Sequence, residues 1–275
     1  MRVCFLLLTY DVLPNHWHVV DKAVRSRGGM IGRTKSGGQR SELEQLFRAI
    51  AAGDGAGVAR RLADSPSLAS RAAHVGASRQ SASSHFLEAI ERYVYVGDTA
   101  LHIAAAAYRA DIAHDLVTRG ADVRARNRRG AEPLHSASVG RPGSPTWQPE
   151  AQAAVIAYLL SAGADPNAAD KIGATALHRA VRTRCAEAVR VLLSHGADVR
   201  RPNGSGSTPL HLAVQNTGRG GTGAADARAQ QAEIVELLAR HGAEPTDTDD
   251  GNKTVIESIA ASWLKEFVHA QLGWR

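Results

Sequence analysis

Short apolar stripes at helical spacing recur in pairs along most of the chain. Leu43, Leu46, Phe47 and Ile50 form the first, and after a Gly53-Asp54-Gly55 break Val58 and Leu62 form the second, so the segment predicts two amphipathic helices. Ser41 and Glu44, three residues apart, are the capping-box pair that starts the first helix. Further along, Leu210 and Ala213 mark a short helix, and Ile234, Val235, Leu237 and Leu238 mark a longer one. Thr208 suits the N-cap, and Pro209 suits the first helical position, where its missing N–H costs nothing. Gly242 permits the left-handed turn that ends the second helix. No such pair can bury both stripes alone, so the pairs must stack. Between residues 66 and 96 the pattern changes: Phe86 to Ile90 and Tyr93 to Val96 predict a short helix or strand against the stack, whereas the Ser- and Ala-rich 71–84 is expected to be mobile.

The pairs are written with a fixed phrase. Gly173-Ala174-Thr175-Ala176-Leu177-His178 is followed by Gly196-Ala197-Asp198, and the same two phrases recur at Gly97 to His102 with Gly120, at Gly130 to His135 with Gly163, and at Gly206 to His211 with Gly242. Successive motif histidines are 33, 43 and 33 residues apart, a period of 33 with one excess of ten. These residues resemble the ankyrin repeat. The resemblance implies an all-α solenoid with short β-hairpin or turn fingers, in which the histidine hydrogen-bonds backbone between adjacent repeats. It also implies a protein-interaction function without catalysis. The expected layout is an N-terminal extension at 1–40, a helical cap at 41–65, a long connection at 66–96, repeats at 97–129, 130–172, 173–205 and 206–248, and a degenerate cap at 249–275, where Thr254-Val255-Ile256-Glu257 replaces the motif. On helix-packing spacing the histidines stand about 10 Å apart, too far to share a metal.

The period also locates two interruptions. Ten extra residues fall at about Arg141 to Glu150 and thirteen at about Gly218 to Gln230, both between the helices of a pair. Insertions of this kind often carry the binding face. One uninterrupted repeat separates them, so they should stand about 20 Å apart and flank the turn Arg182-Thr183-Arg184-Cys185. One wall would hold Pro145, Thr146 and Trp147, the other Arg219, and the floor would be cationic. Candidate partner-binding residues are therefore Trp147, Arg182, Thr183, Arg184 and Arg219 around the cleft, Gln215 and Asn216 on an inner helix, and Arg128, Arg129, Lys171 and Ile172 at the fingertips. A small anion or a nucleic acid in that cleft is the alternative ligand. Gly218 to Gly223 fits a dinucleotide-loop pattern but follows a helix, so it reads as a flexible loop.

Charge narrows the partner. The net charge is +6, of which residues 1–40 contribute seven basic against two acidic groups. The array is close to neutral, which argues against nucleic acid as its partner. Its basic tips (Arg124, Arg126, Arg128, Arg129) and acidic tips (Glu244, Asp247, Asp249, Asp250) give it an electrical direction. Cys4 and Cys185 are too far apart in character to suggest a disulfide framework, so a cytoplasmic protein is expected. The two arginines beside Cys185 could lower its pKa, but no base is placed to activate it, and a partly buried small residue is the simpler reading. No membrane span, cofactor or metal is expected, and the chain reads as a monomer with an unidentified protein partner. Within 1–40, Val12-Leu13-Pro14-Asn15-His16-Trp17-His18 resembles the His-hydrophobe-His strand of tyrosine transposases. The nucleophilic tyrosine helix and further ligand of those enzymes are not recognisable here, so the segment is read as a fusion remnant or an over-extended start, followed by a Gly- and Arg-rich linker.

Overall fold

The computed structural model describes residues 41–78, 81–142, 144, 147–215 and 225–274. The expectations placed on 1–40, among them Cys4, His16 and His18, lie outside the described residues, as do those for Pro145, Thr146, Asn216 and Gly218 to Gly223.

Helices α1 (Glu42–Ala52) and α2 (Gly55–Asp64) open the fold. The Ser41 hydroxyl accepts the Glu44 amide at 3.2 Å, and Leu46, Ile50 and Leu62 are fully buried. Four pairs of a short inner and a longer outer helix follow: α3 (Ala100–Ala106) with α4 (Ala110–Thr118), α5 (Pro133–Ala137) with α6 (Pro149–Ser161), α7 (Ala176–Arg182) with α8 (Ala186–Ser194), and α9 (Pro209–Val214) with α10 (Ala225–Arg240). Each inner helix packs on the next inner helix and each outer helix on the next outer one. A last pair, α11 (Val255–Ser258) and α12 (Ser262–Leu272), closes the stack. Buried Leu264 and Val268 hold α12 on α10, while Lys265, Glu266 and His269 on its other face are exposed. That polar outer face suits a terminal cap.

Two leucine columns form the core. Leu101, Leu134, Leu177 and Leu210 repeat at the motif position, and Leu116, Leu159, Leu192 and Leu238 repeat four residues before each terminal glycine. All eight are at most 1% exposed. Truncating any one to alanine removes roughly 2–5 kcal/mol.

Fingers join the pairs, and one residue organises each. The side-chain oxygen of Asn127 accepts the amides two and four residues on, at 2.9 and 3.2 Å. Asp170, Asn203 and Asp249 do the same in the next three fingers. At Gly173, φ is +76° and a Cβ would lie 2.6 Å from the Gly204 amide nitrogen, so the finger admits no side chain there. Asn252, at φ +57°, fills the equivalent corner of the last finger, where no further finger presses on it.

The described residues of the 66–96 connection are folded. Turns of 3-10 helix at Pro66–Ala69 and Ser83–His85 precede a hairpin of β1 (Phe86–Leu87) and β2 (Arg92–Tyr93), with Phe86 opposite Tyr93. The expected mobility of 71–84 is corrected over 72–77. Ala73 exchanges backbone hydrogen bonds with Asp98 and Gly97 at 2.8 Å each, and the Ala77 amide donates to Val94 at 2.7 Å. The first repeat has no preceding finger, and this segment takes up the backbone groups that one would have paired.

Candidate binding surface

The motif histidines are spent on structure. Nε2 of His102, His135, His178 and His211 donates to the carbonyl oxygens of Ala131, Ala174, Ser207 and Lys253 at 3.0, 3.1, 3.2 and 3.3 Å, each in the next repeat. Nδ1 accepts the amide three residues earlier, at Thr99, Glu132, Thr175 and Thr208. Both nitrogens are thus committed to the neutral ring. Burial, the largest influence, pushes His135 down to about 3 and His178 down to about 4, and it lowers His102 as well. In the last pair Glu257 stands in place of histidine and turns back on its own cap, accepting the Thr254 amide and hydroxyl at 2.8 Å. Among the described residues no group of three or more His, Cys, Asp or Glu could hold a metal, and no helix is long and apolar enough to cross a membrane.

The interruptions fall where the period places them but differ in form. Part of each is helix: α6 has 13 residues and α10 has 16, against 9 in α4 and α8. Separating inner from outer helix also exposes the carbonyl end of the inner helix, which needs donors. For α5, the Tyr108 hydroxyl donates to Val139 at 2.5 Å and Gln152 Nε2 to Ala137 at 2.9 Å. For α9, the Arg184 guanidinium donates to Leu212, Ala213 and Gln215 at 3.3, 3.0 and 2.7 Å, and Gln231 Nε2 donates to Ala213 at 2.7 Å. Tyr108 and Arg184 each lie six residues past a motif histidine, and both adopt positive φ. Gln152 and Gln231 each lie eleven residues before a terminal glycine. Sequence reasoning identified none of these four as a cap, although the same period marks their positions.

Arg184 is therefore corrected from candidate contact to internal staple. It is 5% exposed, with both terminal nitrogens donating to backbone, so it contributes no cationic floor. Cys185, read as a partly buried small residue, is fully buried, and burial raises its thiol to about 11, against the lowering that the flanking arginines suggested. Thr183 is half-buried, accepting the Gly140 amide at 3.3 Å and donating to Arg179 at 2.9 Å. Trp147 packs on the core, its indole N–H donating to Gln152 Oε1 at 3.0 Å. Arg182 and the Gln215 side chain are exposed on the inner-helix side. Thr183 and Trp147 thus meet around Gly140 and Cys185, Arg184 turns away to α9, and Arg219 and Asn216 belong to the undescribed stretch.

The fingertip candidates fall on one continuous edge. The Arg128 amide donates to Val96 at 2.7 Å, Lys171 to Arg129 at 2.9 Å, Gly204 to Ile172 at 2.8 Å and Asp250 to Ser205 at 3.3 Å, so every finger is stitched to the previous one. Lys171 and Ile172 stand exposed, Ile172 at 40%. Arg128 and Arg129 lie over the Tyr95 ring at 5.1 and 4.2 Å from its centroid, and Arg128 also donates to Ala77 at 2.7 Å, which pins the connection to the first full finger. The expected electrical direction is muted by pairing. Arg124 donates to the Gly163 carbonyl, Arg126 pairs with Glu132 at 3.0 Å, and Arg200 joins Glu244 and Asp247 at 2.6 Å each.

Two comparisons agree with this geometry. A family profile described as ankyrin repeats in three copies matches residues 150–249, and one for a single ankyrin repeat matches residues 96–128. The E3 ubiquitin-protein ligase KEG of Arabidopsis thaliana is 38% identical over 152 residues, which is 51% of this chain and 9% of that protein. The chain thus spans less than a tenth of this relative's length.

Proposed function

We propose that this chain, which belongs to the ankyrin-repeat family, is a non-enzymatic scaffold that binds a protein partner along its stitched fingertips and adjoining inner helices, with specificity added at the two interrupted repeats. Protein–protein interaction is the general role of such repeats, and the observation that supports its assignment to this edge is the backbone ladder from Val96 to Asp250. A surface held by main-chain hydrogen bonds is preorganised, so a partner loses little affinity to ordering it. Exposed Lys171 and Ile172 then offer one charged and one apolar contact on that fixed frame. The reading includes a monomeric chain in a reducing, cytoplasmic setting, in keeping with the free thiol of Cys185. Ubiquitin transfer forms no part of it, because the similarity to the plant ligase covers 9% of that protein.

Affinity capture tests the proposal. A Lys171→Ser, Ile172→Ser double variant should keep its fold, since both side chains are exposed, and should lose most of the partner retained by the intact chain. Shortening either interruption should weaken capture by a smaller factor. A partner held equally by all three altered chains would place binding elsewhere.

A further inference from the structure

The outer helices end in step, each two residues before its terminal glycine, so the additional residues of α6 and α10 all lie at their N-terminal ends. At 1.5 Å per residue they overhang α8 by about 6 and about 10 Å. The short helix between two long ones leaves a notch of about 400 Å3. Ala186 at the start of α8 forms its floor, Trp147 and Pro149 contribute carbon surface, and Glu150, Glu187 and Glu233 stand around it. This is the interval between the interruptions where the sequence suggested a cationic cleft, and the described residues that line it are acidic.

The charged side chains that line the notch are all carboxylates. The Ala186 amide, which at a free helix N-terminus would attract an anion, donates to Gln230 Oε1 at 3.1 Å. The indole N–H of Trp147 is committed to Gln152, so the ring lines the notch as fixed aromatic surface. Arg190 bridges Glu187, at 3.1 Å, and Glu233. Exposed Glu150 has no ion-pair partner among the described residues. Two carboxylates therefore share one guanidinium and a third has none, and the excess negative charge lies beside an aromatic ring, an arrangement suited to ion pairing and to cation–π contact.

We propose that the notch between α6 and α10 receives an arginine or lysine side chain carried by an extended basic segment of a protein partner. The proposal rests on the reading of the chain as a protein-binding scaffold and adds a second contact at the opposite end of the helix pairs from the fingers. An acidic or phosphate-bearing ligand is disfavoured there by the same carboxylates.

A fluorescein-labelled heptapeptide with two central arginines, titrated into the full chain at low ionic strength and followed by anisotropy, tests it. Saturable binding is expected, about tenfold weaker with the Glu150→Gln, Glu233→Gln variant and unchanged with the Lys171→Ser, Ile172→Ser fingertip variant. A heptapeptide with glutamates in place of the arginines should not bind. Loss of binding in the fingertip variant, indifference to the two glutamates, or absence of saturable binding would each overturn the notch. Fingertip-dependent capture of a partner would survive all three results, so failure here is distinguishable from failure of the scaffold reading.

Discussion

Lowering the pH from 7 to 4.5 is expected to remove about 5 kcal/mol of folding free energy through His135 and His178 alone. Burial depresses both rings in the folded chain, to about 3 and about 4, whereas an unfolded histidine titrates near 6.5. Below pH 6.5 the unfolded state therefore binds more protons than the folded one, and protons pull the equilibrium toward unfolding. The stability is fully present above pH 6.5 and is lost as the pH falls toward the folded values, at up to about 1.4 kcal/mol per pH unit for each ring. His102 shifts in the same direction and steepens the loss. The cause is geometric as well as dielectric, because a second ring proton would meet the Thr175 or Glu132 amide that Nδ1 now accepts. Urea unfolding at pH 7, 5.5 and 4.5 should show a falling midpoint, and His135→Gln with His178→Gln should flatten the dependence. A midpoint constant across this range would contradict the ladder.

Arg184→Ala is expected to cost roughly 2–4 kcal/mol, from unsatisfied carbonyls at the end of α9 and the space left behind. Gln231 still reaches Ala213 at 2.7 Å and Gln215 at 3.3 Å, so one cap remains and the helix frays at its end without melting. Arg184 has φ +62°, and alanine inherits that strain while glycine relieves it. Arg184→Gly should consequently be about 1 kcal/mol less damaging than Arg184→Ala. A change below about 0.5 kcal/mol in the alanine variant, the usual range for a surface site, would show that the guanidinium does not staple the repeats.

Much of this was written in the 33-residue period, because a repeat fixes register. The period placed the histidines, the leucines, the terminal glycines and both interruptions, and the conformation follows from local chemistry at each. It could not show how far a side chain reaches into the next repeat. Arg182 and Arg184 look alike in sequence, two cations in a turn, yet one is exposed and the other lies beneath the end of α9. The difference arises because the following repeat is interrupted there, so its inner helix has open carbonyls within reach. Cys185 follows the same logic: flanking charge suggested a lowered pKa, and depth decided against it. Among the described residues this interval is lined by carboxylates: residues counted as loop wound into helix and carry Glu150 past the start of the shorter α8, while Glu233 stands level with Glu187. At the fingers, Lys171 and Ile172 were legible as tips, whereas the stacking of Arg128 and Arg129 on Tyr95 joins segments whose spacing obeys no period.

Amide hydrogen exchange of the fingertips tests the preorganised edge most directly. If the fingers form one stitched surface, the amides of Arg128, which donates to the 66–96 connection, and of Lys171, Gly204 and Asp250, which donate to the preceding finger, should exchange at least about 100-fold more slowly than in a free peptide. Exchange of these four amides at free-peptide rates, with α3, α5, α7 and α9 still protected, would mean that the fingers move independently and that no fixed edge awaits a partner.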